Sequence, residues 1–427
     1  MVNASGTRAV ARCEELGVAP YSVTDDFLYR GYLSAAHAAA VNRTAEWMRE
    51  AGMSVRMDTA GNLIGRYEAS QAGRKALLIG SHIDTVRNGG RYDGVLGVML
   101  AIECVAYLNE TGRRLPFAIE VIAFGDEEGS RFPVAMLCSR AVIGQDVTGT
   151  PDLVDGDDIS LAEALDTFEH SITIPMPEGR LSASRRHPGD ILGYLEAHIE
   201  QGPVLEAENL SVGAVSGIAA QLRFEYTLKG EAGHAGTNAM HLRRDALAGA
   251  AEIMVEIEKL ARSGAPDEVA TVGSIQALPG AANVVPGEVK FMLDVRAGDD
   301  ERRNLLSDRI RTVARDICEQ RRLSLSIRKL QDLAASPSDP GFVQMMEDAL
   351  EATGHPRKTL VSGAGHDAMI LSELCPSVML FIRCAGGVSH NPAEKVDPAD
   401  ADEALEVMLK FLDLMEARAD AQFVQTD

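Results

Sequence analysis

A histidine and two aspartates lie close together in the stretch from Leu77 to Gly97. An apolar run ends at His82, as a buried strand would, and Asp93 follows eleven residues later, before Gly94 and an apolar helix. His82 can be a neutral imidazole ligand of a metal, Asp84 can orient it, and Asp93 can bridge two cations. Taken alone, each residue is more typical of a hydrogen-bonded core histidine or a helix N-cap. The choice between a metal site and these structural roles therefore depends on whether the sequence contains further candidate ligands.

Three consecutive carboxylates follow the next predicted strand. This strand, 117–124, leads into Gly125 and then into Asp126, Glu127 and Glu128. Buried carboxylates are costly unless a cation neutralises them, and adjacent side chains at a strand end point to different sides. One glutamate can therefore bind a metal while the other takes a proton from metal-activated water. The alternative is a solvated acidic turn, which an isolated run of this kind would favour.

Two more histidines follow strand-like segments later in the chain. His198 ends an apolar segment, and Gln201, three residues further on, can hydrogen-bond a substrate held at a metal. His390 lies in a glycine-rich turn after a strand predicted at 378–382. Imidazole and carboxylate ligands that share one bridging carboxylate suit a pair of borderline divalent ions. The five candidate ligands are His82, Asp93, Glu128, His198 and His390.

The elements that must position these residues have the pattern of an α/β protein. A helix is predicted from the N-cap Ser34 to Glu50, followed by short strands and then by the strand that ends at His82. Residues 211–334 have a different pattern, β-α-β-β-α-β, which packs two helices on one face of a four-stranded sheet in a ferredoxin-like arrangement. We therefore predict a mixed-sheet catalytic domain, residues 1–210 and 335–427, split by an inserted α+β domain.

The predicted insertion has polar residues of its own that could bind a substrate. His234 lies in the glycine-rich turn 233–237, which is too polar to be core. Asn283 and Arg296 are thirteen residues apart, around a predicted strand turn. A planar guanidinium with a neighbouring amide is suited to binding a substrate carboxylate. For Arg296 alone, a surface salt bridge is the simpler interpretation.

The composition excludes several classes of partner. Lys and Arg number 41 against 63 Asp and Glu, which gives a net charge of −22 and argues against nucleic acid and anionic membranes. No uninterrupted apolar stretch is long enough to span a bilayer, and the first residues contain no apolar signal core. We therefore expect a cytoplasmic enzyme. The six cysteines form no C-x-x-C pair, and we expect them to be reduced core residues.

Over nearly its whole length the chain resembles the carbamoylase branch of the M20 metallopeptidase-like amidohydrolases. This branch includes N-carbamoyl-L-amino acid hydrolase, β-ureidopropionase of the yeast type and allantoate amidohydrolase. H-I-E-Q-G-P is the most discriminating of the shared motifs. In chain order these are G-S-H-I-D-T-V, Y-D-G-x-x-G, D-E-E-G-S-R-F, H-I-E-Q-G-P-V-L-E, G-H-A-G-T, N-V-V-P-G-E-V, S-G-A-G-H-D-A and G-G-V-S-H-N-P-A-E.

The resemblance implies a dinuclear centre in the catalytic domain. The cofactors would be two divalent ions per subunit, zinc or manganese, with cobalt or nickel as alternatives. Glu127 would be the general base that acts on the bridging water. One metal would be held by His82 and His198, the other by Glu128 and His390, with Asp93 bridging them.

The resemblance also implies roles for residues around that centre. Gln201, Asn283 and Arg296 match substrate-binding positions, the last two holding the substrate carboxylate. His234 would reach into the site of a partner subunit and stabilise the developing oxyanion, so the insertion would be both a lid and the homodimer interface. His366 lies in the G-H-D-A turn, near the site.

The substrate is less narrowly defined by these motifs. The stretch Met379–Cys384 resembles allantoate amidohydrolases, and Arg383 could contact the second ureido group of allantoate or be a surface residue at a strand end. An N-carbamoyl-L-amino acid or, less favoured, an N-acyl-L-amino acid is the alternative substrate. A catalytically silent binding protein is the non-enzymatic alternative, but such a relative is expected to have lost a ligand, and all five are present here together with Glu127.

Overall fold

The computed structural model describes residues 3–145, 153–179 and 181–424, and the chain divides into two compact units. The first unit comprises Met1–Ser216, Pro337–Leu360 and His366–Asp427; the second comprises Gly217–Ser336 and Val361–Gly365. The strands are β1 (Ser54–Met57), β2 (Leu63–Tyr67), β3 (Ala76–His82), β4 (Ala118–Phe124), β5 (Ile191–Ile199), β6 (Val212–Ile218), β7 (Ala220–Lys229), β8 (Gly233–His234), β9 (Val269–Leu278), β10 (Val284–Val285), β11 (Glu288–Ala297), β12 (Ser324–Leu333), β13 (Ser336–Pro337), β14 (Thr359–Ser362) and β15 (Ser377–Ile382). The helices are α1 (Gly6–Leu16), α2 (Ala35–Glu50), α3 (Val95–Glu110), α4 (Leu137–Ile143), α5 (Leu161–Glu169), α6 (Val204–Ala207), α7 (Ala246–Arg262), α8 (Asp300–Gln320), α9 (Pro340–Ala352), α10 (Asp367–Leu371) and α11 (Pro398–Val424).

The first unit is built on a mixed sheet with a parallel centre. Its strand order is β1-β2-β4-β3-β5-β15-β6-β13, and β14 also pairs with β6. The pairs β4–β3, β3–β5 and β5–β15 are parallel, whereas β1–β2, β2–β4 and β15–β6 are antiparallel. Four neighbouring strands therefore end at the same edge, which is where α/β sheets place their ligand sites. The mixed α/β architecture predicted from the sequence is confirmed.

Sequence composition explains why these central elements form. Every residue of β3 and β4 is buried, as expected for strands covered on both faces. The helix α3 is apolar on nearly all sides and packs on β3, β4 and β5. The prediction of a helix beginning after Ser34 is confirmed, because the Ser34 side chain accepts the His37 backbone N–H at 3.1 Å.

The second unit contains a four-stranded antiparallel sheet in the order β12-β7-β11-β9. Side chains alternate along its central strands, so that one face is apolar and the other polar. The apolar residues of this face, such as Phe224 and Phe291, form a core with Ile253 of α7 and Ile310 of α8. The unit therefore has its own hydrophobic core, built from two helices on one sheet face.

The boundary of the second unit differs from the predicted one. The sequence predicts an insertion at 211–334 with a single strand running from Ser211 through Gly230, whereas the unit begins at Gly217 and also includes Val361–Gly365. That predicted strand is two strands, β6 and β7. Because Val212–Val215 pair with β15, this part of β6 belongs to the sheet of the first unit.

Two further sequence expectations concern the whole chain. The six cysteines are unpaired and buried, as predicted, and lie at Cys13, Cys104, Cys138, Cys318, Cys375 and Cys384. Among the residues that the structure describes, none of the helices combines the length and the apolar character required to cross a membrane.

Candidate active site

The candidate ligands in the first unit follow the carboxyl ends of the four central parallel strands. His82 is the last residue of β3, and His198 is the penultimate residue of β5. Glu128 lies in the turn after β4, and His390 lies in the loop after β15. Asp93 stands two residues before α3, at the end of the loop that follows β3. The sheet topology thereby gathers residues that are far apart in sequence.

Three of these residues form a group that we call the buried cluster: His82, Asp93 and His198. Their candidate ligand atoms all lie within 4.8 Å of one another. The His198 Nε2 atom is 3.2 Å from Asp93 Oδ1, and the His82 Nε2 atom is 4.0 Å from the same oxygen. All three side chains are buried. Two imidazoles and one carboxylate therefore face a common point.

A second group, which we call the open cluster, consists of Asp93, Glu128 and His390. The His390 Nε2 atom lies 3.1 Å from Asp93 Oδ2 and 3.5 Å from Glu128 Oε1. The ligand atoms of this group also lie within 4.8 Å of one another. In contrast to the buried cluster, it includes an exposed imidazole, since 51% of the His390 side chain is accessible. Asp93 belongs to both clusters, with one carboxylate oxygen towards each.

The donor set of the two clusters fits a pair of divalent cations. Imidazole nitrogens and carboxylate oxygens are ligands that zinc and related borderline ions accept. The glycine at position 94 permits the tight geometry: Gly94 has φ +68°, and a Cβ there would lie 2.4 Å from the His82 ring. A larger residue would therefore push His82 out of the cluster. The sequence prediction of a metal centre is consistent with a buried His/Asp/Glu cluster that could bind metal.

Hydrogen bonds orient the ligands from behind. The Asp84 Oδ1 atom is 3.2 Å from His82 Nδ1, and the two Asp84 oxygens accept the backbone N–H groups of Glu127 and Glu128 at 3.0 and 3.2 Å. The His198 Nδ1 atom contacts the backbone carbonyl of Ile199 at 2.9 Å. In both imidazoles the Nδ1 atom is occupied, so Nε2 is left to face Asp93.

Electrostatics at this edge of the sheet favour the arrival of positive charge. Burial raises the pKa of the Glu127 carboxyl well above its usual range. Burial and the nearby Asp93 carboxylate raise the pKa of Glu128 to about 7. The hydrogen bond to Asp93 raises the pKa of the His390 imidazole to about 9. The carboxylates at this edge of the sheet outnumber the positive charges that face them. Bound cations would balance this excess of negative charge.

The predicted base Glu127 lies next to the buried and open clusters but belongs to neither of them. Its side chain is buried and forms a third group with His82 and Glu128, with candidate ligand atoms within 4.8 Å of one another. Its backbone N–H is fixed by Asp84, as described above. A buried carboxylate with a raised pKa, beside a candidate cation pair, has the properties of a general base.

Gln201 is brought directly to the clusters. Its Nε2 atom donates to both oxygens of Asp93 at 3.1 Å and to Ser389 Oγ at 3.0 Å. The Gln201 Oε1 atom is buried and has no hydrogen-bond partner among the described residues. A buried amide oxygen without a partner is costly, so this atom is a candidate to accept a hydrogen bond from a substrate.

The other two predicted substrate residues of the first unit lie in different surroundings. His366 is buried, and its ring centroid is 4.4 Å from that of His198. His366 therefore packs against the ring of the candidate ligand His198. Arg383 donates from Nε and Nη2 to the two oxygens of Asp400 at 2.8 and 2.6 Å. This bidentate ion pair ties the end of β15 to the start of α11, and the substrate role of Arg383 stays a prediction.

The second unit holds the three remaining predicted residues. The short β8–β10 ladder pairs His234 with Val284, which places Asn283 beside His234, and both side chains are exposed. Arg296 donates from Nε to Asp294 Oδ1 at 2.7 Å, and its Nη1 atom donates to the backbone carbonyl of Gly363. Within this unit, His234 and Asn283 are therefore neighbours, and Arg296 has a fixed orientation.

Sequence reasoning missed two residues that contact the clusters. Ser389 Oγ donates to Asp93 Oδ2 at 3.1 Å, and Glu394 accepts the backbone N–H of Asp93 at 3.1 Å. The available signal was their position in the motif around His390, where the serine precedes the histidine and the glutamate follows four residues later. A loop glutamate normally suggests solvent exposure, yet Glu394 is 6% exposed.

Comparisons with known proteins identify the family of this chain. Residues 78–414 match the model of peptidase family M20/M25/M40. Allantoate deiminase of Arabidopsis thaliana is 40% identical over 433 residues, covering 95% of this chain and 81% of that protein. N-carbamoyl-L-amino-acid amidohydrolase of Pseudomonas sp. (strain NS671) is 41% identical over 374 residues, covering 87% and 89%.

The fold of this chain also matches a solved structure of the carbamoylase family. A hydantoinase/carbamoylase family amidase from Burkholderia multivorans has a TM-score of 0.87 and 31% sequence identity, and the match covers 96% of this chain and 98% of that one. The family model and the relatives both extend over most of the chain. The chain therefore belongs to peptidase family M20/M25/M40, in its carbamoylase branch.

Proposed function

We propose that this chain is a dinuclear metal-dependent amidohydrolase that cleaves the ureido C–N bond of an N-carbamoyl acid, with allantoate as the first candidate. The observation that carries the proposal is the position of Asp93. Its two carboxylate oxygens face two separate groups of candidate ligands, and the buried Glu127 lies beside them. Hydrolysis by two metal ions and one free carboxylate requires this arrangement.

The cation sites would be divided between the two clusters. His82 and His198 would hold one ion, Glu128 and His390 the other, and Asp93 would contact both. When bound, the two divalent ions, zinc or manganese with cobalt or nickel as alternatives, would lower the pKa of a water molecule and polarise the ureido carbonyl. Glu127 supplies the base that this chemistry needs, because its carboxyl is buried and held by its backbone contact to Asp84.

The protein groups complete the proton transfers. Glu127 takes a proton from the attacking water and then gives it to the leaving nitrogen. For a substrate R–NH–CO–NH₂, addition of one water gives R–NH₂, carbon dioxide and ammonia, since the carbamic acid formed first breaks down. Gln201 would contact the ureido group, and this role is supported by its buried Oε1 atom, which has no hydrogen-bond partner among the described residues.

Arg296 and Asn283 are proposed to bind the substrate carboxylate. Asp294 holds the Arg296 guanidinium through Nε at 2.7 Å and Nη2 at 3.3 Å, which fixes the plane of the fork. A fixed, planar guanidinium binds a carboxylate with two parallel hydrogen bonds. Arg296→Lys is expected to raise KM for the acid about tenfold or more while changing kcat less, because the bidentate contact is lost.

Homodimerisation through the second unit is part of the proposal. The strand β9 is an edge of the four-stranded sheet, and Val269, Ile275 and Leu278 on it are exposed. An exposed apolar edge strand is a template for pairing with another chain. His234 would then act in the site of the partner, where it would stabilise the developing oxyanion. The second unit would also close over the substrate as a lid.

The dimer can be tested by sedimentation velocity. Ile275→Lys on β9 is expected to produce monomers, since a lysine on an edge strand opposes pairing. Leu305→Lys, an equally exposed apolar position on α8, is the matched control and is expected to leave the dimer intact. Dissociation by the control but not by Ile275→Lys would place the interface elsewhere.

The choice of allantoate rests on the extent of the resemblance. The plant allantoate deiminase matches 95% of this chain, whereas the Pseudomonas carbamoyl-amino-acid enzyme matches 87%, at nearly the same identity. The second candidate substrate is therefore an N-carbamoyl-L-amino acid, which the same carboxylate and ureido contacts would accept. An N-acyl-L-amino acid is less favoured because it has no second ureido nitrogen.

The deciding experiment is an activity panel with the purified protein loaded with Mn²⁺ or Zn²⁺. Ammonia release is measured on allantoate and N-carbamoyl-L-amino acids, and release of the free amine is measured on N-acetyl-L-amino acids. Chelator-sensitive turnover of allantoate above the others is expected. Preference for a carbamoyl amino acid would keep the mechanism and change the substrate. Cleavage of N-acetyl substrates alone would exclude ureido chemistry.

A further inference from the structure

Glu394 is a buried carboxylate in the loop that carries His390. Its Oε1 atom accepts the backbone N–H groups of Tyr92 and Asp93 at 2.8 and 3.1 Å. Its Oε2 atom lies 3.1 Å from the Ser389 hydroxyl, whose single proton is shared between Glu394 and Asp93. The side chain therefore joins the loop after β15 to the loop before α3, and each of these loops contributes a ligand to the open cluster.

The opposite loop is shaped to receive this carboxylate. A Cβ built on Gly90 would lie 2.1 Å from Glu394 Cδ and 2.2 Å from its Oε1 atom. Any other residue at position 90 would therefore displace the Glu394 carboxylate or the loop. The two residues are 304 positions apart in the chain, so their contact depends on the assembled fold.

Ser389 completes a network around Asp93. Its hydroxyl lies 3.1 Å from both Asp93 Oδ2 and Glu394 Oε2, and it accepts from Gln201 Nε2 at 3.0 Å. Gln201 in turn donates to both oxygens of Asp93. The shared ligand Asp93 is thus held through its backbone by Glu394 and through its side chain by Ser389 and Gln201.

His390 needs such support more than the other ligands do. It is not part of a strand, half of its side chain is exposed, and its backbone has φ +53°, which is unusual for a residue other than glycine. The turn that follows it is closed by the Glu394 backbone N–H, which donates to Asn391 O at 3.0 Å. Glu394 therefore contacts both neighbours of His390: Ser389 through its Oε2 atom and Asn391 through its backbone N–H.

We infer that Glu394 is a positioning residue that sets the separation of Asp93 and His390 and thereby supports cation binding at the open cluster. The buried cluster depends on it less, because the β3 and β5 strands position His82 and His198. The inference rests on the proposed dinuclear site. Groups that hold metal ligands from behind typically change metal affinity by 10- to 100-fold when removed.

The test is a Co²⁺ titration of the metal-free full-length protein, followed by the visible absorption of bound cobalt and by metal content after desalting. Two binding steps are expected in the wild type. In Glu394→Ala the weaker step is expected to shift to about 10- to 100-fold higher concentration, while the tighter step moves about twofold or less. Gly90→Ala perturbs the same contact from the opposite loop and is expected to give the same selective loss.

Glu206→Ala is the matched control. The Glu206 Oε2 atom accepts the backbone N–H of Gly386 at 3.0 Å, so it holds the same loop without a contact to Asp93. Both binding steps are expected to be unchanged in this variant. Thermal unfolding of each metal-free variant shows that it is folded, and Gly90→Ala carries the test alone if Glu394→Ala is not.

The outcomes separate the inference from the proposed function. Two unchanged steps in both Glu394 and Gly90 variants, or equal weakening of both steps, would overturn the role of Glu394 and leave the dinuclear site in place. A single binding step with one cobalt ion per chain in the wild type would overturn the dinuclear site itself. Equal effects of Glu206→Ala and Glu394→Ala would show that the loop as a whole, and not the contact with Asp93, matters.

Discussion

The buried and open clusters share Asp93 but are supported by different kinds of structure. His82 and His198 of the buried cluster lie at the ends of β3 and β5, which are adjacent parallel strands, and both are almost fully buried. In the open cluster, Glu128 lies in a turn, and His390 lies in a loop eight residues beyond the end of β15.

The ligands of the two clusters are therefore held in position by different means and to different extents. Backbone hydrogen bonds of the sheet fix the separation of the buried ligands, and close packing limits their movement. Loop ligands lack this framework, so their positions depend on specific side-chain contacts, here those of Asp84, Ser389 and Glu394. We therefore expect the two cation positions to differ in affinity, with the open cluster the weaker.

The largest expected effect is on turnover and leaves both clusters intact. Glu127→Gln removes the base but keeps the size of the side chain, and turnover is expected to fall by about 10²- to 10⁴-fold. Bound metal is expected to remain at the wild-type level, because Glu127 is outside the two groups that share Asp93. The measurements are steady-state kinetics and metal content of the same preparation. Near-normal turnover would exclude Glu127 as the base.

Removing one imidazole from the buried cluster should lower the free energy of unfolding more than removing one from the open cluster. His82→Ala leaves the buried Asp84 carboxylate without its imidazole partner and is expected to lower the free energy of unfolding of the metal-free protein by about 1–3 kcal/mol. His390→Ala removes a half-exposed imidazole from Asp93, which keeps its contacts with Ser389 and Gln201, and is expected to cost less, about 0.5–1 kcal/mol. Urea unfolding of the metal-free variants gives both values. Equal destabilisation would contradict the proposed difference in support.

A change of pH should act on the open cluster through His390. Since its hydrogen bond to Asp93 raises the pKa of His390 to about 9, this imidazole is protonated at neutral pH and must lose a proton to bind a cation. Affinity at the open cluster is therefore expected to rise by roughly tenfold per pH unit between about 7.5 and 9, and more steeply below about 7, where Glu128 with its pKa of about 7 must also lose a proton. Metal titrations between pH 6.5 and 8.5 measure this slope. An affinity independent of pH would show that no proton is displaced.

The smallest expected effect on turnover concerns a residue outside both clusters. Arg383→Gln breaks the bidentate ion pair with the nearly buried Asp400, and a loss of about 2 kcal/mol in the free energy of unfolding is expected. Turnover of allantoate is expected to change about twofold or less, because the guanidinium is engaged by Asp400. A large, selective loss of allantoate turnover would instead support the substrate role predicted from the sequence.

Local signals in the sequence predict much of the framework around the site. The serine N-cap and the apolar spacing predict α2, and an apolar run predicts that β3 ends at His82. Because side chains at the carboxyl ends of parallel strands meet at one edge, residues such as His198 could be grouped with His82 from their positions alone. The structure brings the five candidate ligands into two clusters around Asp93.

Features that depend on distant pairing could not be predicted in this way. The segments 212–218 and 220–229 both have strand character, and only the assembled fold decides that β6 pairs with β15 while β7 pairs with β11. Glu394 follows a Pro-Ala pair in a loop, which suggests a solvated residue, and its burial depends on Gly90 in a remote loop. The same holds for Arg383, since its contact with Asp400 depends on how α11 packs at the end of β15.

Anomalous diffraction from crystals soaked in Mn²⁺ or Zn²⁺ would test the shared role of Asp93 most directly. Two anomalous peaks per chain are expected, one contacted by His82 and His198 and the other by Glu128 and His390, with Asp93 contacting both. At limiting metal, the peak at the buried cluster is expected to be the stronger. One peak only, or two peaks without a shared contact to Asp93, would contradict the account.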